Sequence, residues 1–210
     1  MKKKFITAIV SALILGLSST TFAVDNQFSD VPDNHWAFTE VNTLAENDIV
    51  NSYNDGTFKG NRNTTRYEMA VMLANIHSKR SPATNAVTNN PFRDVISSHW
   101  AYKSLMQLAA DGIIAPDSNG LFRGNTSITR YEMAIMVTNL LTKDSNVIIS
   151  ESSNPFNDVP VNHRAYKAVA TLVKEGLVEG YGDGGFHGNN NMTRYETAMV
   201  LYNVYKKLFN

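Results

Sequence analysis

There is no cysteine in the 210 residues. That excludes disulfides, a thiolate metal site and a lipid-modified N-terminal cysteine. Neither sign of charge is in excess, since Lys+Arg and Asp+Glu both number 19. Setting aside Lys2, Lys3 and Lys4, 16 basic residues face 19 acidic ones, a net charge of about −3. A mildly acidic chain has no basic surface with which to hold nucleic acid. After Leu17 no apolar stretch approaches the ~20 residues that a transmembrane helix needs. Ten-residue alternating strands of the outer-membrane barrel type are missing too. So are a glycine-rich phosphate loop and a serine or cysteine nucleophile motif. No catalytic residue, metal site or cofactor is assigned, and the chain is not expected to be an enzyme.

The N-terminus is distinctive. Lys2-Lys3-Lys4 precede an apolar run from Phe5 to Leu17, followed by Ser18-Ser19-Thr20-Thr21-Phe22-Ala23. A basic start, a short apolar middle and a small-residue end are the layout of a secretory signal peptide. Residues 1–23 are expected to be removed on export. The roughly 185 residues that remain bury an adequate core only if their parts share it.

Those residues repeat with a period of 64. Phe28-Ser29-Asp30-Val31 returns as Phe92-Arg93-Asp94-Val95 and as Phe156-Asn157-Asp158-Val159. Thr65-Arg66-Tyr67-Glu68 returns as Thr129-Arg130-Tyr131-Glu132 and Thr193-Arg194-Tyr195-Glu196. A fixed period of this size means one structural unit used three times. The units span 24–79, 91–143 and 155–210, with linkers at 80–90 and 144–154. Ser, Asn and Thr dominate the connections, as suits exposed chain. The Val147-Ile148-Ile149 run is the one linker stretch expected to pack against the body.

Each unit reads as helix, turn, helix. Ala37, Val41, Leu44 and Ala45 lie on one helical face, and both later copies keep the pattern. The helix is expected to stop near Asp48, Gly112 and Gly176, where glycine suits a left-handed end. Asn54-Asp55-Gly56, Ser118-Asn119-Gly120 and Gly182-Asp183-Gly184 then mark tight turns. Thr65 with Glu68, and their equivalents, form capping boxes that open the second helix. That helix is apolar on nearly every side, as in Met69-Ala70-Val71-Met72-Leu73-Ala74, and such a helix is buried. The three second helices are therefore expected at the centre, with the first helices outside.

Between Phe28 and Asn75, sixteen positions are identical in all three copies. Most are structural by type. Among the polar ones, Arg66, Arg130 and Arg194 lie in the first turn of the second helix. Uncapped N–H groups and the helix dipole favour an anion there, and a guanidinium fork matches a carboxylate. Asp30, Asp94 and Asp158 are expected to bond backbone amides of the connection that follows them. Trp36 and Trp100 either stack on a sugar ring or pack between helix and turn, and Arg164 replaces them in the third copy. The third copy reads Gly180-Tyr181-Gly182, whereas the second has Asp117 at the tyrosine position, so the three grooves are not equivalent. His35, His99 and His163 lack converging ligands and read as capping or packing residues rather than a metal site. Asn54-Asp55-Gly56 lacks the ladder of acids that a calcium loop requires.

Phe-x-Asp-Val, His-Trp-Ala, Asp-Gly-x-Phe-x-Gly and Thr-Arg-Tyr-Glu, in that order, resemble the S-layer homology family over about residues 28–209. The resemblance implies a mainly α fold. Three helix-turn-helix units would form a pseudo-threefold, three-pronged bundle around a central helical core. It also implies a non-catalytic module that holds an exported protein on a bacterial envelope glycan. The implied ligand is a cell-wall polysaccharide bearing pyruvate ketals, bound in grooves by Arg66, Arg130 and Arg194, with Trp36, Trp100, Asp30, Asp94 and Asp158 nearby. The family's usual helix-start motif is Thr-Arg-Ala-Glu. The tyrosine here resembles envelope proteins of bacteria with an outer membrane, where the partner is peptidoglycan and the location periplasmic rather than the outer cell surface. The alternative expected from another class is a scaffold that recruits an envelope protein.

Overall fold

The computed structural model describes residues 26–81, 89–150 and 152–210. The expected leader at 1–23 lies outside them. The described residues form six helices in order: α1 Phe38–Glu46, α2 Arg66–Arg80, α3 Tyr102–Ala110, α4 Arg130–Asp144, α5 Tyr166–Lys174 and α6 Arg194–Phe209. The chain is mainly helical. Among the described residues no strand forms, only isolated antiparallel bridges just before the second helices.

The first helices stop for a local reason. Asp48, Gly112 and Gly176 have φ of 56°, 73° and 68°. The residue after each donates back five positions, as Ile49 N–H does to the Leu44 carbonyl at 2.8 Å. This paired closure is the Schellman ending. Asp48 adopts it without glycine's freedom. The second helices open on Thr65, Thr129 and Thr193, each with a complete capping box.

The helix that each unit packs against belongs to another unit. The central helices α2, α4 and α6 contact one another, while α3 lies on α2, α5 on α4, and α1 closes the set on α6. The expectation of second helices inside and first helices outside is borne out. A backbone ring ties the helix starts together. Thr64 N–H donates to the Met192 carbonyl (2.9 Å), Met192 N–H to Ile128 (3.0 Å) and Ile128 N–H to Thr64 (2.9 Å).

Each turn phenylalanine is buried: Phe58 and Phe186 are 0% exposed and Phe122 1%. Burial of each contributes about 1.5–3 kcal/mol. The motif tyrosine crosses to a neighbour in the same cyclic sense as the arginine beside it. Tyr67 lies over Gly124, Tyr131 over Gly188 and Tyr195 over Gly60, so close that a Cβ there would sit 2.1–2.2 Å from ring atoms. These glycines exist for the approach of a ring, not for a turn. Of the Val147-Ile148-Ile149 run, Val147 packs on the core, while Ile148 and Ile149 are exposed.

Candidate functional site

The grooves lie where three units meet. The first is walled by the turn residues 49–55 and by Glu68, Met72 and Asn75 of α2, with Trp100 from the second unit and Arg194 from the third. Its volume is about 960 Å³. The second repeats the plan with residues 113–116, Glu132 and Asn139 of α4, Arg164 from the third unit and Arg66 from the first. It holds only about 170 Å³. In the third unit Arg130 stacks on Tyr181 (4.9 Å) and Phe186 (4.5 Å), and Tyr181 Oη donates to Glu196 at 3.4 Å. The inequality expected from Arg164 and Asp117 is present.

The arginines sit at these junctions, but not on free helix ends. Arg66 N–H donates to the Thr126 carbonyl and Tyr67 N–H to Gly124, both at 2.9 Å, and Glu68 N–H bonds the Thr65 hydroxyl. The same pairs recur in α4 and α6. The expectation of uncapped first-turn donors is therefore corrected: the loop of the next unit has taken them. The side chains also bind the frame. Nε of Arg66, Arg130 and Arg194 donates to the carbonyls of Phe122, Phe186 and Phe58 at 2.8–2.9 Å. Arg130 and Arg194 are buried, and Arg194 stacks on both Tyr53 (4.9 Å) and Phe58 (4.6 Å). Burial lowers the Arg194 pKa, against the pull of Tyr53 and Glu68.

The capping glutamates carry a role that the sequence reading missed. One oxygen closes each cap, while the other faces an arginine or tyrosine of the groove. Glu132 pairs with Arg66 Nη1 at 2.8 Å. Glu68 accepts from Tyr53 Oη at 2.7 Å, pairs with Arg62 and lies 3.7 Å from Arg194 Nη1.

The aspartates clamp the turn. Asp30 Oδ1 and Oδ2 accept from the N–H groups of Phe58 (2.6 Å) and Lys59 (2.8 Å). Asp94 does the same for Phe122 and Arg123, and Asp158 for Phe186 and His187. The amides lie 28–29 residues on, not in the adjoining connection as expected. The clamp holds Lys59, Arg123 and His187 at φ 54–56°, a left-handed backbone rare for such side chains. For Asp158, burial alone would raise the pKa, yet the two backbone bonds outweigh it and hold it below the ordinary carboxylate range.

Trp36 and Trp100 are 61% and 63% exposed, and Trp100 stands on the rim of the first groove. Packing of the tryptophans against the body is thus slight, a tilted contact of Trp36 with Tyr195 (5.5 Å) and an edge contact of Trp100 with Tyr67 (6.1 Å). The preceding histidines do the packing. His35, His99 and His163 stack on the motif tyrosines at 4.0–4.3 Å, and their Nδ1 accepts the N–H of Ala37, Ala101 or Ala165. Groups able to hold a metal ion are absent among the described residues.

Asn75, Asn139 and Asn203 were identical in triplicate and could have been singled out. Each donates to the carbonyl that follows the first helix, in Ile49, Ile113 and Leu177. His77 carried no such signal, because its equivalents are Leu141 and Tyr205.

Comparison with known proteins agrees with this arrangement. Cell surface glycoprotein 1 of Acetivibrio thermocellus is 30% identical over 158 residues, 72% of this chain but 7% of its own. The cellulosome-anchoring protein of the same species is 28% identical over 165 residues, 78% of this chain and 36% of its own. Outer membrane protein SlpA of Thermus thermophilus is 42% identical over 73 residues, 35% of this chain and 8% of its own. The chain thus spans a minor part of these relatives. The family model of the S-layer homology domain matches residues 27–70, 91–134 and 155–198, the three units already traced, and the chain belongs to that family.

Proposed function

We propose that the chain is a non-catalytic module that attaches, outside the cytoplasm, to a glycan of the bacterial envelope. The favoured ligand is a secondary cell-wall polysaccharide bearing carboxylates, such as pyruvate ketals. One observation carries the reading: Trp100 stands with its indole exposed on the rim of a groove large enough for several sugar residues. An indole face stacks on the apolar face of a sugar, and such an aromatic is costly to leave in water without a partner. Trp36 offers the same surface beside Tyr195.

Within this reading the tryptophans touch sugar and the arginines supply the positive wall. Arg130 and Arg194 act mainly through the groove they hold open, while Arg66 reaches the ligand directly. Asp30, Asp94 and Asp158 shape the turns, because both oxygens of each are committed. Attachment at more than one groove would raise avidity through effective concentration.

The likeness to an outer membrane protein of Thermus thermophilus favours a second reading, in which peptidoglycan is the polymer and the chain is periplasmic. Co-sedimentation with purified sacculi separates the two. Pelleting lost after acid extraction of secondary polymers supports the polysaccharide. Pelleting that survives supports peptidoglycan. Absence of pelleting in both refutes wall attachment and turns to a protein partner. Trp36→Ala with Trp100→Ala is expected to cut pelleting at least tenfold, since each stacked ring contributes on the order of 1 kcal/mol.

A further inference from the structure

The turn of the second unit differs from its two equivalents in which residue carries the acid. Asp55 and Asp183 stand at the tips of the first and third turns. Each accepts the N–H two residues on, from Thr57 at 3.1 Å and from Gly185 at 2.9 Å. Each also pairs with the side chain four residues on, Lys59 or His187, both at 2.8 Å. The equivalent residue of the second unit is Asn119, and Asp117 has taken over both tasks. Its Oδ1 accepts Leu121 N–H at 3.0 Å, and its Oδ2 accepts from Arg123 Nε at 2.6 Å. The Asn119 side chain is left exposed, with no hydrogen bond among the described residues.

Gly120 follows it, and no other Asn-Gly pair occurs in the sequence. Glycine has no side chain to shield its own nitrogen. That nitrogen is held by one hydrogen bond, donated to the Asp117 carbonyl at 2.9 Å. Beside the pair lies Arg93. Its side chain covers Gly120 so closely that a Cβ there would stand 3.2 Å from Cδ and 3.3 Å from Nε. Arg93 is exposed, and its guanidinium has no hydrogen bond or ion pair among the described residues. An amide without a partner thus stands next to a cation without one. Neither lines the second groove, whose turn residues are 113–116.

We infer that Asn119 is a site of spontaneous deamidation, which gives the second turn the acid that the other two encode and sets it beside Arg93. The Gly120 nitrogen attacks the side-chain amide carbon of Asn119 and loses its proton. The new C–N bond closes a succinimide ring, and the amide nitrogen departs as ammonia. Water then adds to one of the two ring carbonyls and opens the ring. One product is aspartate; the other is isoaspartate, in which the backbone runs through the former side chain. Both place a carboxylate next to an unpaired guanidinium, and both make the chain more acidic. Attack requires the Gly120 hydrogen bond to open, which slows the reaction by roughly tenfold at most, the factor that one such bond is worth.

The test is incubation of the mature chain, residues 24–210, in mildly alkaline buffer, folded in one arm and unfolded by urea in the other. Peptide mapping by mass spectrometry follows the exchange of amide for acid, and enzymatic methylation reads isoaspartate. In the folded chain Asn119 is expected to convert ahead of every other asparagine, at no less than about a tenth of its rate in urea. Asn75 and Asn139 donate their amides to the frame and are expected to lag far behind. Asn119→Gln lengthens the side chain and disfavours the ring, so it should abolish acid formation in that peptide and leave the melting temperature unchanged. In Asn119→Asp the new carboxyl should titrate at higher pH, read by NMR, once Arg93→Gln removes the cation. Conversion of another asparagine first, absence of isoaspartate, or an Asn119 that reacts only in urea would each overturn the site. A titration unmoved by Arg93→Gln would overturn the pairing with Arg93.

Discussion

Replacing His77 by leucine tests how an asymmetric charge cluster is held inside a repeated frame. The His77 ring is fully buried, with Nδ1 2.7 Å from an Asp144 oxygen and Nε2 2.9 Å from Asp111. Each ring nitrogen thus faces a carboxylate oxygen. The Asp144 side chain is itself 0% exposed and both its oxygens face His77. His77→Leu would strand a buried carboxylate, a loss of about 3–5 kcal/mol. The lower end applies here, because Arg80 and Lys207 line the small cavity beside Asp144 and can move toward it. In a chain of this length that is a fall of roughly 6–12 °C in melting temperature.

The repeat supplies the control. One unit on, the positions of His77 and Asp144 are held by Leu141 and Leu208, both buried. The double variant His77→Leu with Asp144→Leu copies that pair and is expected to return most of the lost stability. Urea unfolding of the wild type, both single variants and the double variant measures the coupling. Single losses below about 0.5 kcal/mol, or a double loss equal to their sum, would refute the claim that the cost lies in a stranded charge.

Three further perturbations follow from the frame. Gly124→Ala puts a Cβ 2.2 Å from buried Tyr67 ring atoms and should cost about 1–3 kcal/mol, read by melting temperature. Asp48→Gly relieves the left-handed φ of 56° and should raise stability by up to ~1 kcal/mol, as the other two copies already have glycine there. The pH profile should fall on the acid side. Hydrogen bonds from Lys59 and Thr57 hold Asp55 at about 2, and those from Leu121 N–H and Arg123 hold Asp117 at about 2. For Asp111, burial alone would raise the pKa, but His77 and Lys143 outweigh it and lower it. Depressed folded values mean stability that is present above the ordinary carboxylate range near 4 and lost as pH falls toward 2. Urea midpoints flat from pH 5 to 2 would contradict this.

The elements were legible because each is signalled within a few residues. Thr65 and Glu68 form a cap three positions apart, and Gly112 ends a helix where it stands. The long-range contacts within and between units were not legible, since their partners are far apart in the chain and mostly backbone. Nothing local says that Tyr67 N–H will meet the Gly124 carbonyl, or that the Asp30 carboxylate will hold amides 28 and 29 residues on. The first-turn donors looked free for the same reason: a sequence shows which groups lack a helical partner, but not which loop arrives to satisfy them.

That division also explains why the grooves could diverge while the scaffold stayed constant. The parts identical in triplicate include residues whose partners are in another unit: Tyr67 on Gly124 and Arg66 on the Phe122 carbonyl. A change in one copy breaks a contact with a neighbour, so no copy is free to drift alone there. The exposed residues Trp36, Trp100 and Arg164, the last two on groove rims, make few contacts with the body. Substitution there costs little stability. The rims are thus where one unit can change its side chain without disturbing the other two, as the third unit does in carrying Arg164 where the others have tryptophan.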